Sequence, residues 1–296
     1  MGFTRLRMTP VLLFFAGSVV LTAAYFGLSR SAALAAAEDA KDPPKGDEAL
    51  KSRVAAYSEK MRAQVKNIKV YLDDSEQECE LIKEPLFHSN DLLRHNVDGY
   101  IWGWVSDGRL AGLAATHKYE NLGEPGYNPY FYFFTSASPE LMTVEWHNGR
   151  RYATKKPGLT WNALPNAPDP EATKPGRLRQ MKELADRFSG TLKVDYLKTS
   201  EELRRLARPL YRYEKDSATH ADGAAFAFTD HGTATATVLI IELRKRDKGK
   251  LAWEYGLVCF SDCRLAFRLD DREIWTQPYC GKPGEYDCWT YFHEAD

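Results

Sequence analysis

Residues 251–271 read LAWEYGLVCFSDCRLAFRLDD, and their alternation decides the fold class. Trp253, Tyr255, Leu257 and Cys259 fall on every second position, and so do Cys263, Leu265, Phe267 and Leu269. A period of two belongs to a strand whose side chains point alternately to opposite faces. If Phe260-Ser261-Asp262 closes a hairpin, Cys259 faces Cys263, Leu257 faces Leu265 and Tyr255 faces Phe267, all on one side. A slip of one residue would expose the whole set, so the register is well specified. Asp270-Asp271 then turns the chain into a further strand, Arg272 to Thr276. The expectation is an antiparallel meander with one buried face.

The same signal extends toward the N-terminus. Phe226 and Phe228, then Leu239, Ile241 and Leu243, mark two earlier strands. Tyr100 to Val105 and Leu110 to Thr116 flank the turn sequence Ser106-Asp107-Gly108. Met142, Val144 and Trp146 alternate up to Asn148-Gly149, a pair suited to the positive φ values of a type I′ hairpin turn.

Helical spacing appears in two longer places. Leu50, Val54, Tyr57, Met61, Val65 and Ile68 recur every three or four residues and predict an amphipathic helix from Asp47, within residues 47–73. Leu178, Met181, Leu184 and Phe188 predict a second from about Pro175, stopped by Gly190. Thr199 with Glu202 reads as a capping box for a short helical turn before Pro209. The resulting class is α+β: antiparallel meander and hairpins packed with two or three helices, with residues 74–296 as a single β-rich domain.

The N-terminus reads as a targeting segment. Arg5 and Arg7 precede an apolar run from Val11 to Leu28, and Ala33-Leu34-Ala35 offers a cleavage site. Residues 1–35 are therefore expected to be a signal peptide or an N-terminal membrane anchor, followed by a linker over 36–46. Export to the periplasm or beyond follows: released if the site is cut, held at the inner membrane through residues 11–28 if it is not. Residues 1–35 hold three of the 40 basic residues and none of the 41 acidic ones, so the exported chain is mildly acidic. That balance argues against a nucleic-acid partner, which needs a concentrated basic face.

Four cysteines, Cys259, Cys263, Cys280 and Cys288, crowd the C-terminus of this exported chain and read as disulfide staples. Three pairings are open. The strand register leans toward Cys263–Cys280, with Cys259–Cys288 outside it. Their spacing suits zinc poorly, so no metal is expected, and Cys79 is left over as a buried thiol.

Two further groups are candidates for a functional site. Along strands, Tyr100, Trp102 and Trp104 share one face, and Tyr130, Tyr132 and Phe134 share another. Such rows stack on sugar rings if exposed and fill the core if buried. His220, Asp222, Asp230 and His231 are placed in loops on either side of a strand over Gly223–Thr229, and form the acid and histidine set a hydrolase would require. There is no nucleophile elbow, phosphate loop or dinucleotide fingerprint, so no cofactor is indicated and enzyme activity is not favoured. The expected function is a non-catalytic binding or envelope-associated module, for envelope polysaccharide or protein. The alternative is an envelope hydrolase.

Three stretches carry a resemblance: 177–188 (RLRQMKELADRF), 203–213 (LRRLARPLYRY) and 222–228 (DGAAFAF). With Gly232-Thr233 ahead of the apolar run Val238 to Leu243, and Trp253 with Tyr255 after it, they resemble an uncharacterised family of exported bacterial proteins. The likeness spans roughly residues 84 to 275. Where that family has Asp-Pro-Glu after Gly-Thr, this chain has Ala234-Thr235-Ala236. The resemblance implies export and a domain, but no activity, ligand or cofactor.

Overall fold

The computed structural model describes residues 45–73, 77–91, 95–146, 149–194, 198–214, 217–230, 234–246, 249–279 and 289–294. The targeting segment, His147, Asn148, His231, Cys280 and Cys288 lie outside them. No described helix is long and apolar enough to cross a membrane.

Helix α1 (Lys45–Val65) leads into β1 (Lys69–Leu72), the short β2 (Glu80–Leu81) and β3 (Phe87–Asp91). The meander β4 (Asn96–Ser106), β5 (Arg109–Tyr119) and β6 (Tyr130–Ser136) follows, then β7 (Met142–Glu145) and β8 (Arg151–Ala153). A Pro-rich connection carries the two-residue β9 (Asn162–Ala163) to α2 (Lys174–Ala185). Next come β10 (Phe188–Val194), β11 (Thr199–Arg205) and β12 (Tyr211–Tyr213). The long strands β13 (His220–Thr229), β14 (Thr235–Lys245) and β15 (Leu251–Cys259) form a second meander, followed by β16 (Arg264–Leu269) and β17 (Arg272–Gln277). Strand β18 (Trp289–Glu294) ends the described chain.

The pairing order shows that this is one unit used twice. In the first half β1 pairs β7, β7 pairs β8, β2 and β3 both pair β4, and β4, β5 and β6 run as a meander. In the second half β10 pairs β16, β16 pairs β17, β11 and β12 both pair β13, and β13, β14 and β15 run as a meander. Each repeat starts with its helix. The open edges are closed from outside the repeats, with β18 on β6 and β9 on β15.

The strands form three sheets, of nine, six and three strands; the nine- and six-stranded sheets share an apolar layer, and each packs a helix on its other side. Met61, Val65 and Ile68 meet Trp102, Trp104, Tyr132 and Phe134 in one outer core. Met181, Leu184 and Ala185 meet Phe226, Phe228, Leu239, Ile241 and Phe267 in the other. Ile101, Leu113, Ala225, Val238, Ile240 and Val258 fill the layer between the sheets. The central strands are therefore buried on both faces, which is why residues 223–228 of β13 read GAAFAF without a polar side chain.

This corrects the α+β expectation. Among the described residues strand takes 52% and helix 14%, in two helices, so the fold is β-rich. The β15–β16 hairpin is also absent. After Phe260 the chain crosses to the far end of the curled sheet, where Leu265 and Phe267 pair with Leu192 and Gly190 of β10. Tyr255, Leu257, Cys259, Leu265 and Phe267 still share one core, because the sheet wraps around it.

Two helix boundaries differ as well. α2 ends at Ala185, and Phe188 and Gly190 belong to β10, where the period changes from 3.6 to two. Gly190 is no helix stop: a Cβ there would lie 2.5 Å from the Phe267 ring, so glycine lets that ring lie across the strand. Thr199 and Glu202 cap nothing, since β11 is held as a strand by its ladder to β10. Tertiary pairing overrides the local capping signal there. The true cap of α2 is Thr173, whose hydroxyl accepts from the Gly176 N–H at 3.1 Å. Thr173→Ala is expected to cost about 1 kcal/mol in urea unfolding.

Candidate functional site

The residues singled out from the sequence are placed as follows. Trp102, Trp104, Tyr130, Tyr132 and Phe134 are all at most 2% exposed, under α1. They form core, not a stacking platform. His220 opens β13 instead of lying in a loop. Its Nδ1 is 2.8 Å from Ser217 Oγ, and its ring meets that of Tyr213 edge-on. Asp222 is also in β13 and fully buried, with Arg177 Nε at 2.7 Å from Oδ2 and Arg212 Nη2 at 3.0 Å. Asp230 follows the other end of that strand, about 26 Å from Asp222 at the usual rise per residue. Asp222 and Asp230 therefore do not converge, and His231 lies outside the described residues.

The repeat explains Asp222. Asp98-Gly99 of β4 and Asp222-Gly223 of β13 occupy matching places, as do Pro85-Leu86-Phe87 and Pro209-Leu210-Tyr211. His88 Nε2 meets Asp98 Oδ1 at 2.8 Å, as Arg212 meets Asp222. A buried aspartate holding a half-exposed histidine has the form of a proton-transfer pair. Its counterpart, however, uses an arginine, which stays protonated and moves no proton. What the two places share is a clamp between the short third strand and the fourth. Burial raises the Asp98 pKa despite the bond from His88.

Beyond each Asp-Gly the repeats diverge. In the second, Gly223 lies under the Tyr213 ring, and Tyr213 donates to the fully buried Glu242. Glu242 also receives Arg109 Nε at 3.0 Å, from the first repeat, and Arg244 Nη1 at 2.8 Å. Glu254 binds Arg244 Nε at 3.0 Å and also pairs with Arg246. The guanidinium groups of Arg109 and Arg244 lie 5.3 and 4.7 Å from the Trp161 ring centre, so the connecting segment covers the cluster. Burial outweighs the guanidinium groups and raises the Glu242 pKa; it also pushes the Tyr213 hydroxyl well up. This end is an ionic seal between repeats, with its acids already paired.

The matching end of the first repeat carries rings instead. Gly99 faces His117, which occupies the place of Glu242, and Phe131 occupies that of Glu254. Tyr119 meets Phe131 edge-on at 5.4 Å, and His117 meets Phe133 edge-on at 5.7 Å. Phe133, Phe131 and His293 are near-parallel, with centres 6.2 and 5.7 Å apart. His117, Tyr119, Phe131 and Phe133 are half-buried, and His293 is exposed.

The electrostatics of this end are simple. His117 Nδ1 lies 3.0 Å from the Asn96 side chain. In the amide orientation that satisfies Asn96, its nitrogen donates to the Asp98 and Lys118 carbonyls and its oxygen accepts from Nδ1. Nδ1 thus holds the proton and Nε2 is an acceptor. Burial lowers the His117 pKa to about 4, so the ring is neutral at physiological pH. Asn96, His117, Tyr119, Phe131 and Phe133 carry no formal charge there, and the exposed His293 borders them. This ring face is the candidate functional site.

Other features offer less chemistry. An open groove of about 400 Å³ beside α2 is lined in part by Gln180, Glu183, Arg187 and Asp270. Gln180 is committed to Asp169 and Glu171, and Arg187 to Asp270. Burial raises the thiols of Cys79, to about 11, and Cys263, to about 12, so both are protonated and weakly nucleophilic. No group of three potential metal ligands occurs among the described residues. No protein-family model, curated protein or solved structure matches the chain.

Proposed function

We propose that the chain is a non-catalytic binding module that works outside the cytoplasm. It presents the Tyr119–Phe131–Phe133–His293 face to an envelope ligand. The observation that carries this reading is the contrast between equivalent ends. One is closed by paired charges and Trp161, while the other keeps half-buried rings around a neutral histidine. Clusters of aromatic side chains at a surface supply large contact area at low entropic cost. Export rests on the basic, apolar and small-residue segments within residues 1–35.

Calorimetry of the protein against envelope polysaccharides and peptides tests this. Tyr119→Ala and Phe131→Ala are each expected to weaken binding by about tenfold, or about 1.4 kcal/mol, with the fold retained by circular dichroism. Binding that ignores both changes would place the site elsewhere.

A further inference from the structure

We infer that the solvent face of β10, β11 and β16, in the second repeat, is a docking surface for an acidic polysaccharide. It lies on other strands than the ring face and does not depend on it.

Burial alternates along these strands. Leu192 and Val194 of β10, Leu203 of β11, and Leu265, Phe267 and Leu269 of β16 point into the core beside α2. The positions between them point to solvent. The ladder sets Lys193 directly opposite Arg264 and Ser189 directly opposite Arg268. On β11, Ser200 lies opposite Lys193, Glu202 opposite Thr191, and Arg204 one residue beyond the Gly190–Leu203 pair. Lys193, Arg204, Arg264 and Arg268 are all exposed. The neighbouring carboxylates are Glu202 and, opposite Arg268 on β17, Glu273.

These cations are held differently from others in the protein. Arg177 and Arg212 hold Asp222, Arg205 holds Asp186, and Arg187 holds Asp270. Lys193, Arg204 and Arg268 have no ion pair among the described residues. Lys193 and Arg264 also place like charges directly across a ladder, which costs stability. An anion laid over them removes that repulsion. The chain as a whole has 40 basic and 41 acidic residues, so the concentration of cations here is local.

Spacing selects the class of anion. Ser189 and Lys193 are four residues apart on β10, so the cations fall in two rows about 13 Å apart. Within the row Arg204, Ser189, Arg268, the arginines are two strand spacings apart, or about 10 Å. One small anion does not reach both rows, whereas an extended polyanion does. Ser189, Thr191 and Ser200 stand between the cations, and their hydroxyls suit those of sugars. On these three strands the face has no aromatic side chain to stack a base and no large apolar one to enter a bilayer. An acidic polysaccharide is the polymer that matches.

The test is titration of the full-length protein with polygalacturonate, neutral dextran, phosphatidylglycerol vesicles and duplex DNA, at low and at physiological ionic strength. Polygalacturonate is expected to bind and dextran to stay silent, with affinity falling at least about tenfold at the higher salt. Arg204→Ser combined with Arg268→Ser should weaken binding at least about tenfold. Lys193→Thr should also weaken it, with the urea midpoint unchanged or raised because a like-charge pair is gone. Arg179→Ser, at an exposed arginine of α2, and Phe131→Ala should leave it unchanged. Binding of vesicles or DNA through the same arginines, with polygalacturonate silent, would overturn the ligand class. Silence from every probe, or polygalacturonate binding that survives both the double variant and Lys193→Thr, would overturn the surface.

Discussion

Replacing Glu242 with alanine is expected to lower the unfolding free energy by about 3–5 kcal/mol. This carboxylate is fully buried and is the meeting point of Tyr213, Arg244 and, from the other repeat, Arg109. Its removal leaves the Arg109 guanidinium and the buried Tyr213 hydroxyl without their carboxylate partner, while Arg244 keeps Glu254. For a domain of this size the midpoint should fall by roughly 10 °C in a thermal melt. Glu242→Gln keeps a hydrogen-bond acceptor for Tyr213 and should cost less.

The same pair of variants yields a pH signature. Burial raises the folded-state pKa of Glu242 above the ordinary glutamate value. Stability from such a group is present below its unfolded pKa and is lost as pH rises through the folded one. Urea titrations from acid toward neutral pH should therefore show the native protein losing ground relative to Glu242→Gln. A constant difference across that range would mean that the arginines fully offset the desolvation of this carboxylate.

Trp102→Ala is expected to be as damaging, at about 3–5 kcal/mol. The indole is 2% exposed, and its N–H donates to Thr116 Oγ1 at 3.1 Å. Truncation leaves a large cavity in the core under α1. Stability measured by urea unfolding should collapse, whereas Phe131→Ala should reduce ligand binding with little change in unfolding. The two aromatic sets thus have separable roles. If Trp102→Ala spared stability and abolished binding, the assignment of inner and outer faces would be reversed.

That distinction shows where a sequence stops being informative. In the run from Tyr130 to Phe134, both parities are aromatic, so a period of two identifies a strand but cannot say which set faces the core. The even-numbered set, chosen as the candidate platform, is the buried one; the odd-numbered Phe131 and Phe133 carry the half-buried face. The missed site had a further signal. Asp98-Gly99 and Asp222-Gly223, like Pro85-Leu86 and Pro209-Leu210, are separated by the same interval, 124 positions (98 to 222, 85 to 209). Few identities survive beyond these, since what the repeats share is a pairing order rather than side chains. His117 and Glu242 occupy equivalent places with unlike chemistry.

Local chemistry was enough for the strands of the two meanders and their turns, but not for β10 and β11, read as helical. Positive φ at Asp107-Gly108 and Asp270-Asp271 is what those turn residues accommodate, and alternation marks β13 to β16 in the sequence. Alternation also correctly groups Tyr255, Leu257, Cys259, Leu265 and Phe267 in one core, although β15 and β16 never pair. Pairing partners, the curl that brings β16 to β10, and the doubling of the unit depend on contacts far apart in the chain. A strand has two edges and two faces, and its own residues say little about which neighbours take them. Only the tertiary structure decided that one end of the sandwich closes on Glu242 and its arginines, while the equivalent end leaves rings around a neutral His117.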